Sequence, residues 1–141
     1  YTSEKDSMLA FAYYVNKAFE QKLNTIAIQN EMNLNDMKVL AALVNAGHDN
    51  TIDDISDYTG ISSLNVSIII TKLNMKGIVT MEAREGRAHV SIADTAHPIY
   101  EQIREALNDL EDIIFTDISE EDNQKFNALI LKMIQNMRKI V

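Results

Sequence analysis

The sequence predicts a mainly α-helical fold with one small β-hairpin. Three observations carry that reading. Apolar residues recur at helical spacing through most of the 141-residue chain. The period changes to alternation at one place only, between positions 78 and 92. The four glycines, at 47, 60, 77 and 86, fall where these segments end or turn.

The elements follow in order. SEKDSMLAFAYYVNKAFEQKLNTIAI places Met8, Phe11, Ala12, Val15, Ala18, Phe19, Leu23 and Ile26 on one helical stripe, with Ser3 as N-cap. A second helix, DMKVLAALVNA, follows Asn35 and closes at Gly47. Thr51 caps a third, IDDISDYT, which closes at Gly60. The fourth lies in GISSLNVSIIITKLNMKGIV (60–79), capped by Ser62 or Ser63 and closed by Gly77. IVTMEA and RAHVSI then alternate, which makes two strands, 78–83 and 87–92, with Gly86 in the turn. Asp94 opens a long helix carrying Ile99, Ile103, Ala106, Leu107, Leu110, Ile113 and Ile114, with Pro98 near its first turn, where a missing N–H costs little. SEED at 119–122 is a capping box with Asp in place of Glu. It starts a last helix with Phe126, Leu129, Ile130, Met133, Ile134, Met137 and Ile140 on one stripe.

Composition limits the function. Apolar residues make up 46%, enough for a real core. There is no cysteine, which removes disulfides, Cys-ligated metal centres and thiol chemistry. The start shows no signal-peptide pattern and no apolar run reaches the ~18–20 residues of a membrane span, so no membrane and a cytoplasmic location are expected. Net charge is −8, which argues against indiscriminate nucleic-acid binding. The charge is uneven, however. Residues 60–92 hold Lys72, Lys76, Arg84 and Arg87 against Glu82 and Glu85, whereas residues 93–122 carry ten acids and one arginine. A mildly positive patch on an acidic body points to a local anionic partner.

Two helices joined by a tight turn and followed by a hairpin describe a winged helix-turn-helix. The long amphipathic helices at the two ends exceed what so small a domain can cover. A second copy of the chain would cover their stripes, which makes a homodimer the expected assembly. The organisation is then a winged helix-turn-helix over 33–92, flanked by a helical dimerisation region formed by 1–32 and 93–141.

LNDMKVLAAL at 34–43, TIDDISDYTGISSLNVSIIITKLNMKGIV at 51–79 and the hairpin ending VSIAD before the long helix together resemble the MarR family of bacterial transcriptional regulators. The likeness runs over nearly the whole chain and rests on the order and spacing of the pieces. It implies a dimeric winged-helix protein, in most cases a repressor, that binds pseudo-palindromic double-stranded operator DNA. Many members release DNA when a small-molecule effector, oxidant or metal acts on them. The chain departs from the family in two places. Ser67-Ile68 stands where members often carry Thr-Arg, and AREGRA lacks the usual Asp-x-Arg of the wing tip.

At 100° per residue, Val66, Ile69, Ile70 and Leu73 share the core face of the fourth helix. Leu64, Ile68, Thr71 and Met75 point the other way, flanked by Asn65, Ser67 and Lys72. With helix 62–76 in the major groove, Ser63, Asn65, Ser67 and Thr71 can hydrogen-bond base edges or phosphates, and Leu64 and Ile68 can touch thymine methyls. Lys72 and Lys76 would hold the backbone, and Arg84 and Arg87 on the wing (78–92) the flanking backbone or minor groove. The same outward face supports an alternative: a winged-helix dimer without operator binding, acting as a protein-interaction module.

Other chemistry is sparse. His48, His89 and His97 lack metal-ligand spacing, and no serine has a nucleophile-elbow context. No catalytic residue, metal or cofactor is expected, and hence no enzyme. Phe11, Tyr13, Tyr14 and Phe19 read as core and interface, or as the border of a ligand pocket.

Overall fold

The computed structural model describes residues 4–47 and 50–141. Six α-helices and a small sheet run in the order α1 (Glu4–Gln29), α2 (Leu34–Ala46), β1 (Asn50–Thr51), α3 (Ile52–Thr59), α4 (Ser63–Met75), β2 (Val79–Arg84), β3 (Arg87–Ile92), α5 (His97–Ile114) and α6 (Glu120–Arg138). The predicted cap Ser3 and the loop residue His48 lie outside the described residues. The chain divides into two compact units, residues 1–108 and 109–141.

The helix starts follow side-chain chemistry. α2 is capped by Asn33, two residues before the predicted Asn35, because Asn33 and Asp36 close a reciprocal box: the Asp36 amide donates to Asn33 Oδ1 (2.9 Å) and the Asn33 amide to Asp36 Oδ2 (3.2 Å). Thr51 and Asp54 repeat the device at α3. Ser62 rather than Ser63 caps α4. Ser119 accepts from the Asp122 amide at α6, the Ser half of the predicted box. α5 begins three residues later than its predicted opening at Asp94, because residues 94–96 form a single 3₁₀ turn first. At the end of α4, Gly77 takes φ +76°, the Ile78 amide donates to the Leu73 carbonyl and the Gly77 amide to that of Asn74. This is a Schellman stop, and its paired apolar residues, Leu73 and Ile78, are both buried.

The sheet has one strand more than the predicted hairpin. β1 pairs antiparallel with β3 (Asn50↔Val90, Thr51↔His89), giving the order β1-β3-β2. Two residues in the loop before α3 have too short a period to announce a strand. They anchor the base of the wing to the helix-turn-helix.

The core of the first unit is drawn from the helices α1 to α5 and the strands β2 and β3. Leu23, Ile26 and Ala27 come from the second half of α1, Met37, Val39, Leu40 and Leu43 from α2, and Ile55 from α3. Val66, Ile70 and Leu73 come from α4, with Val79, Val90 and Ile103 closing it. Each such side chain contributes roughly 1.5–3 kcal/mol when fully buried. Ile103, expected on the dimer stripe, thus belongs to the chain's own core. Along α1 the stripe splits: Phe19, Leu23 and Ile26 reach the core, whereas Met8 and Phe11 are exposed, as are Tyr13 and Tyr14 beside them. In the second unit, Phe115 and Phe126 meet edge-to-face at 5.6 Å, and α6 buries none of its residues.

Candidate nucleic-acid interface

The α3–α4 turn is built from side chains that satisfy backbone groups. Gly60 enters the left-handed region at φ +73° and its amide bonds the Ser56 carbonyl. Ser56 Oγ donates to the Ile61 carbonyl (2.6 Å), and the Ile61 amide donates to Thr59 Oγ1 (3.2 Å). Ser63 Oγ then donates to Asp53 Oδ1 (2.9 Å), pinning the first residue of α4 to α3. The turn therefore presents α4 at a fixed angle, as a helix that enters a groove requires.

The two faces of α4 separate as its period predicts. Val66, Ile69, Ile70 and Leu73 are buried; Leu64, Asn65, Ile68, Thr71 and Met75 are exposed, and Ser67 is half-buried. Of the hydroxyl groups on this helix, Ser63 is committed to Asp53 and Thr71 donates to the Ser67 carbonyl (2.9 Å). Their oxygens remain acceptors toward an outside donor. Lys76 is exposed at the end of the helix. Lys72 is placed differently. Its Nζ lies 2.7 Å from Asp36 Oδ1 and donates to Oδ2 at 2.8 Å, so the ammonium straddles the carboxylate. Oδ1 has that charge contact but no well-directed hydrogen bond, and Asp36 is 1% exposed. The sequence reading missed Asp36. The available signal was an acid inside the apolar period of LNDMKVL, which by itself reads as an ordinary capping residue.

The wing turns on two residues with positive φ, Glu85 (+54°) and Gly86 (+77°), a tight hairpin turn that matches strand twist. This register sets Arg84 directly opposite Arg87. Like charges directly opposite one another are unfavourable in a sheet. Glu82, 3.8 Å from Arg84, relieves part of that repulsion. Arg87 also faces the start of α3: the Asp54 carboxyl is held below its usual range, first by the Thr51 amide and hydroxyl, then by the nearby Arg87 and His89 charges. Arg84 and Arg87 are both exposed at this tip, beside the acids Glu82 and Glu85.

A cavity of about 340 Å³ is lined by Phe19, Asn16, Lys38, Tyr58 and Leu107 among others, and Tyr13 lines another beside Asn16, Lys17 and Leu34, so of the four aromatics considered above Phe19 and Tyr13 border pockets. Tyr13 and Tyr14 also meet edge-to-face at 5.3 Å on the exposed half of α1. Among the described residues no helix is long and apolar enough to cross a membrane. No group of three His, Asp or Glu among them is placed to hold a metal ion.

Solved structures share this arrangement. A MarR-family transcriptional regulator from Silicibacter pomeroyi superposes with a TM-score of 0.81 at 17% identity, over 94% of this chain and 90% of that one. The chain has the MarR winged-helix fold. A MarR transcriptional regulator from Methanosarcina mazei Go1 follows at 0.78 and 14% identity, over 99% and 94% of the two chains. NadR, solved in complex with 4-hydroxyphenylacetate, superposes at 0.72 and 17% identity, over 94% and 96%. No protein-family model and no curated protein matches the chain by sequence. At these identities the likeness to MarR regulators is one of fold, and function has to come from the exposed chemistry of α4 and the wing.

Proposed function

We propose that the chain is a dimeric DNA-binding transcriptional regulator of MarR type, acting as a repressor. The observation that carries this is the placement of α4. A rigid turn presents its Leu64, Asn65, Ile68 and Thr71 to solvent, and the same small unit supplies an arginine pair at the tip of the wing. Ser63, Asn65, Ser67 and Thr71 would read base edges or phosphates, and Leu64 and Ile68 would touch thymine methyls. Lys76, Arg84 and Arg87 would hold the backbone. The fold likeness to MarR regulators supports the reading. The exposed apolar side chains of α1 and α6 support pairing of two copies through 1–32 and 93–141, around the winged helix-turn-helix of 33–92. A small-molecule effector fits the same scheme, since NadR was solved with one such molecule bound and this chain has a half-apolar cavity beside Phe19.

The test is binding to the duplex upstream of the chain's own gene and to an unrelated duplex, followed by fluorescence anisotropy between 50 and 200 mM salt. Tighter binding to the first, weakening steeply with salt, is expected. No binding to either at low salt would sink the proposal. One observation favours a second reading. Leu64, Ile68 and Met75 are 73%, 59% and 83% exposed, an apolar stripe that a protein partner could cover.

A further inference from the structure

Asp36 and Lys72 come from different helices and meet where α2 and α4 pack. Their burial is unequal: the Asp36 side chain is 2% exposed and that of Lys72 40%. The lysine can swing outward, but the carboxylate cannot follow it. Releasing Lys72 would leave a buried anion with the Asn33 amide as its remaining partner, a strongly unfavourable state. Met37 and Leu40 of α2 and Ile69 and Leu73 of α4 belong to one apolar core, and apolar burial has no preferred direction. The ion pair has one. Lys76, one turn further along α4, makes no ion pair among the described residues and keeps its charge for an outside anion.

We infer that Asp36 and Lys72 form an internal clamp that sets the seat of α4 against α2 and withholds Lys72 from the DNA backbone. This rests on the DNA-binding reading above. Asp36 and Lys72 are then positioning residues: they decide where Asn65, Ile68 and Thr71 fall on the bases without touching the DNA themselves.

Salt dependence separates this from a phosphate-binding lysine. The logarithm of affinity falls with the logarithm of salt by about 0.9 for each phosphate neutralised. Binding of the cognate and unrelated duplexes would be measured between 50 and 200 mM salt for wild type, Lys72→Met, Lys72→Arg, Asp36→Asn and the double variant Asp36→Asn/Lys72→Met. Lys72→Met should keep the wild-type slope while losing preference for the cognate duplex, and Lys72→Arg should retain that preference. Asp36→Asn keeps an acceptor for the Asn33 amide but frees the lysine. Its slope should steepen by about 0.9, so affinity drops an extra three- to fourfold over that salt range. In the double variant the slope should return to the wild-type value. If Lys72→Met does not fold, as judged by circular dichroism, the double variant decides, because it leaves no buried charge behind. A slope flattened by about 0.9 in either variant, or an Asp36→Asn slope and preference equal to wild type, overturns the clamp while leaving DNA binding intact. A wild-type chain without salt-dependent binding overturns the DNA reading, and the clamp with it.

Discussion

At the scale of single residues, Arg84 and Arg87 stand opposite one another at the tip of the wing, Arg84 beside Glu82 and Arg87 near the Asp54 carboxyl. Arg87 is exposed, and in the proposed reading it also meets a DNA phosphate. Arg87→Ala should therefore lower DNA affinity about equally on all duplexes and flatten the salt slope by about 0.9, as loss of one phosphate contact does. An unchanged slope would mean that Arg87 does not meet DNA. Ile68 is the complementary probe. It is 59% exposed and its neighbours Val66, Ile69 and Ile70 carry the core contact, so Ile68→Arg should fold normally. On DNA it should tighten binding generally, and it could shift preference at one base pair by up to about 1–3 kcal/mol if a guanine pair forms. On a protein partner it would place a charge inside an apolar contact and abolish binding. The outward residues of α4 were legible in the sequence because a period of 3.6 sorts faces without tertiary information. The fate of Lys72 was not. Its partner lies 36 positions away, and no local pattern joins the two.

At the scale of elements, capping chemistry governs both what the structure does and what the sequence could tell. Thr51, Ser62, Gly60 and Gly77 delimit α3 and α4 at or within one residue of expectation, because caps are local and their side chains are specific. β1 escaped notice because a two-residue strand exists only through its pairing with β3. α5 starts late because nothing in the sequence distinguishes a 3₁₀ turn from the first turn of a helix. The α3 cap yields a pH prediction. Asp54 has its carboxyl depressed in the folded state, chiefly by the Thr51 amide. A depressed acid stabilises the fold above its unfolded value, near pH 3.9, and loses that contribution as the pH falls through the lower folded value. Asp54→Asn should therefore be less stable than wild type at pH 7, by about 0.3–1 kcal/mol for a carboxylate at a helix start. The gap should close as the pH is taken below about 4. Urea unfolding of both proteins at steps from pH 7 downward checks this, and a gap that does not narrow as the pH falls below the unfolded value would remove the charge from the explanation. Thr51→Ala should cost about 1 kcal/mol at pH 7, because the hydroxyl accepts the Asp54 amide, and less at low pH, where its support of the ionised Asp54 is already lost.

At the scale of the whole molecule, the unanswered element is α6. It buries none of its residues, yet Leu129, Leu131, Met133, Ile134 and Met137 are all more than 40% exposed. A 19-residue helix with that surface carries an apolar stripe that calls for a cover. A second copy is the expected partner, and the exposed Met8, Phe11 and Tyr14 of α1 add to the same demand. Because α6 carries none of the first unit's core, it is the place to break a dimer without breaking the protomer. Leu110, at 9% exposure, is not such a place, since a charge there would disturb the chain itself. Ile134→Glu and Met137→Glu should each weaken self-association about tenfold or more, the effect of roughly 1.4 kcal/mol per substitution, with helix content by circular dichroism unchanged. Sedimentation equilibrium at micromolar concentration reads the outcome directly, and a wild-type chain that sediments as a monomer would end the dimer proposal. In the proposed reading, assembly and recognition are coupled. Two winged units on one duplex neutralise twice the phosphates of one, so a variant that stays monomeric on DNA should show about half the wild-type salt slope. If the slope instead stays at the wild-type value when the dimer is lost, one winged unit makes all the contacts and the second copy serves some other end.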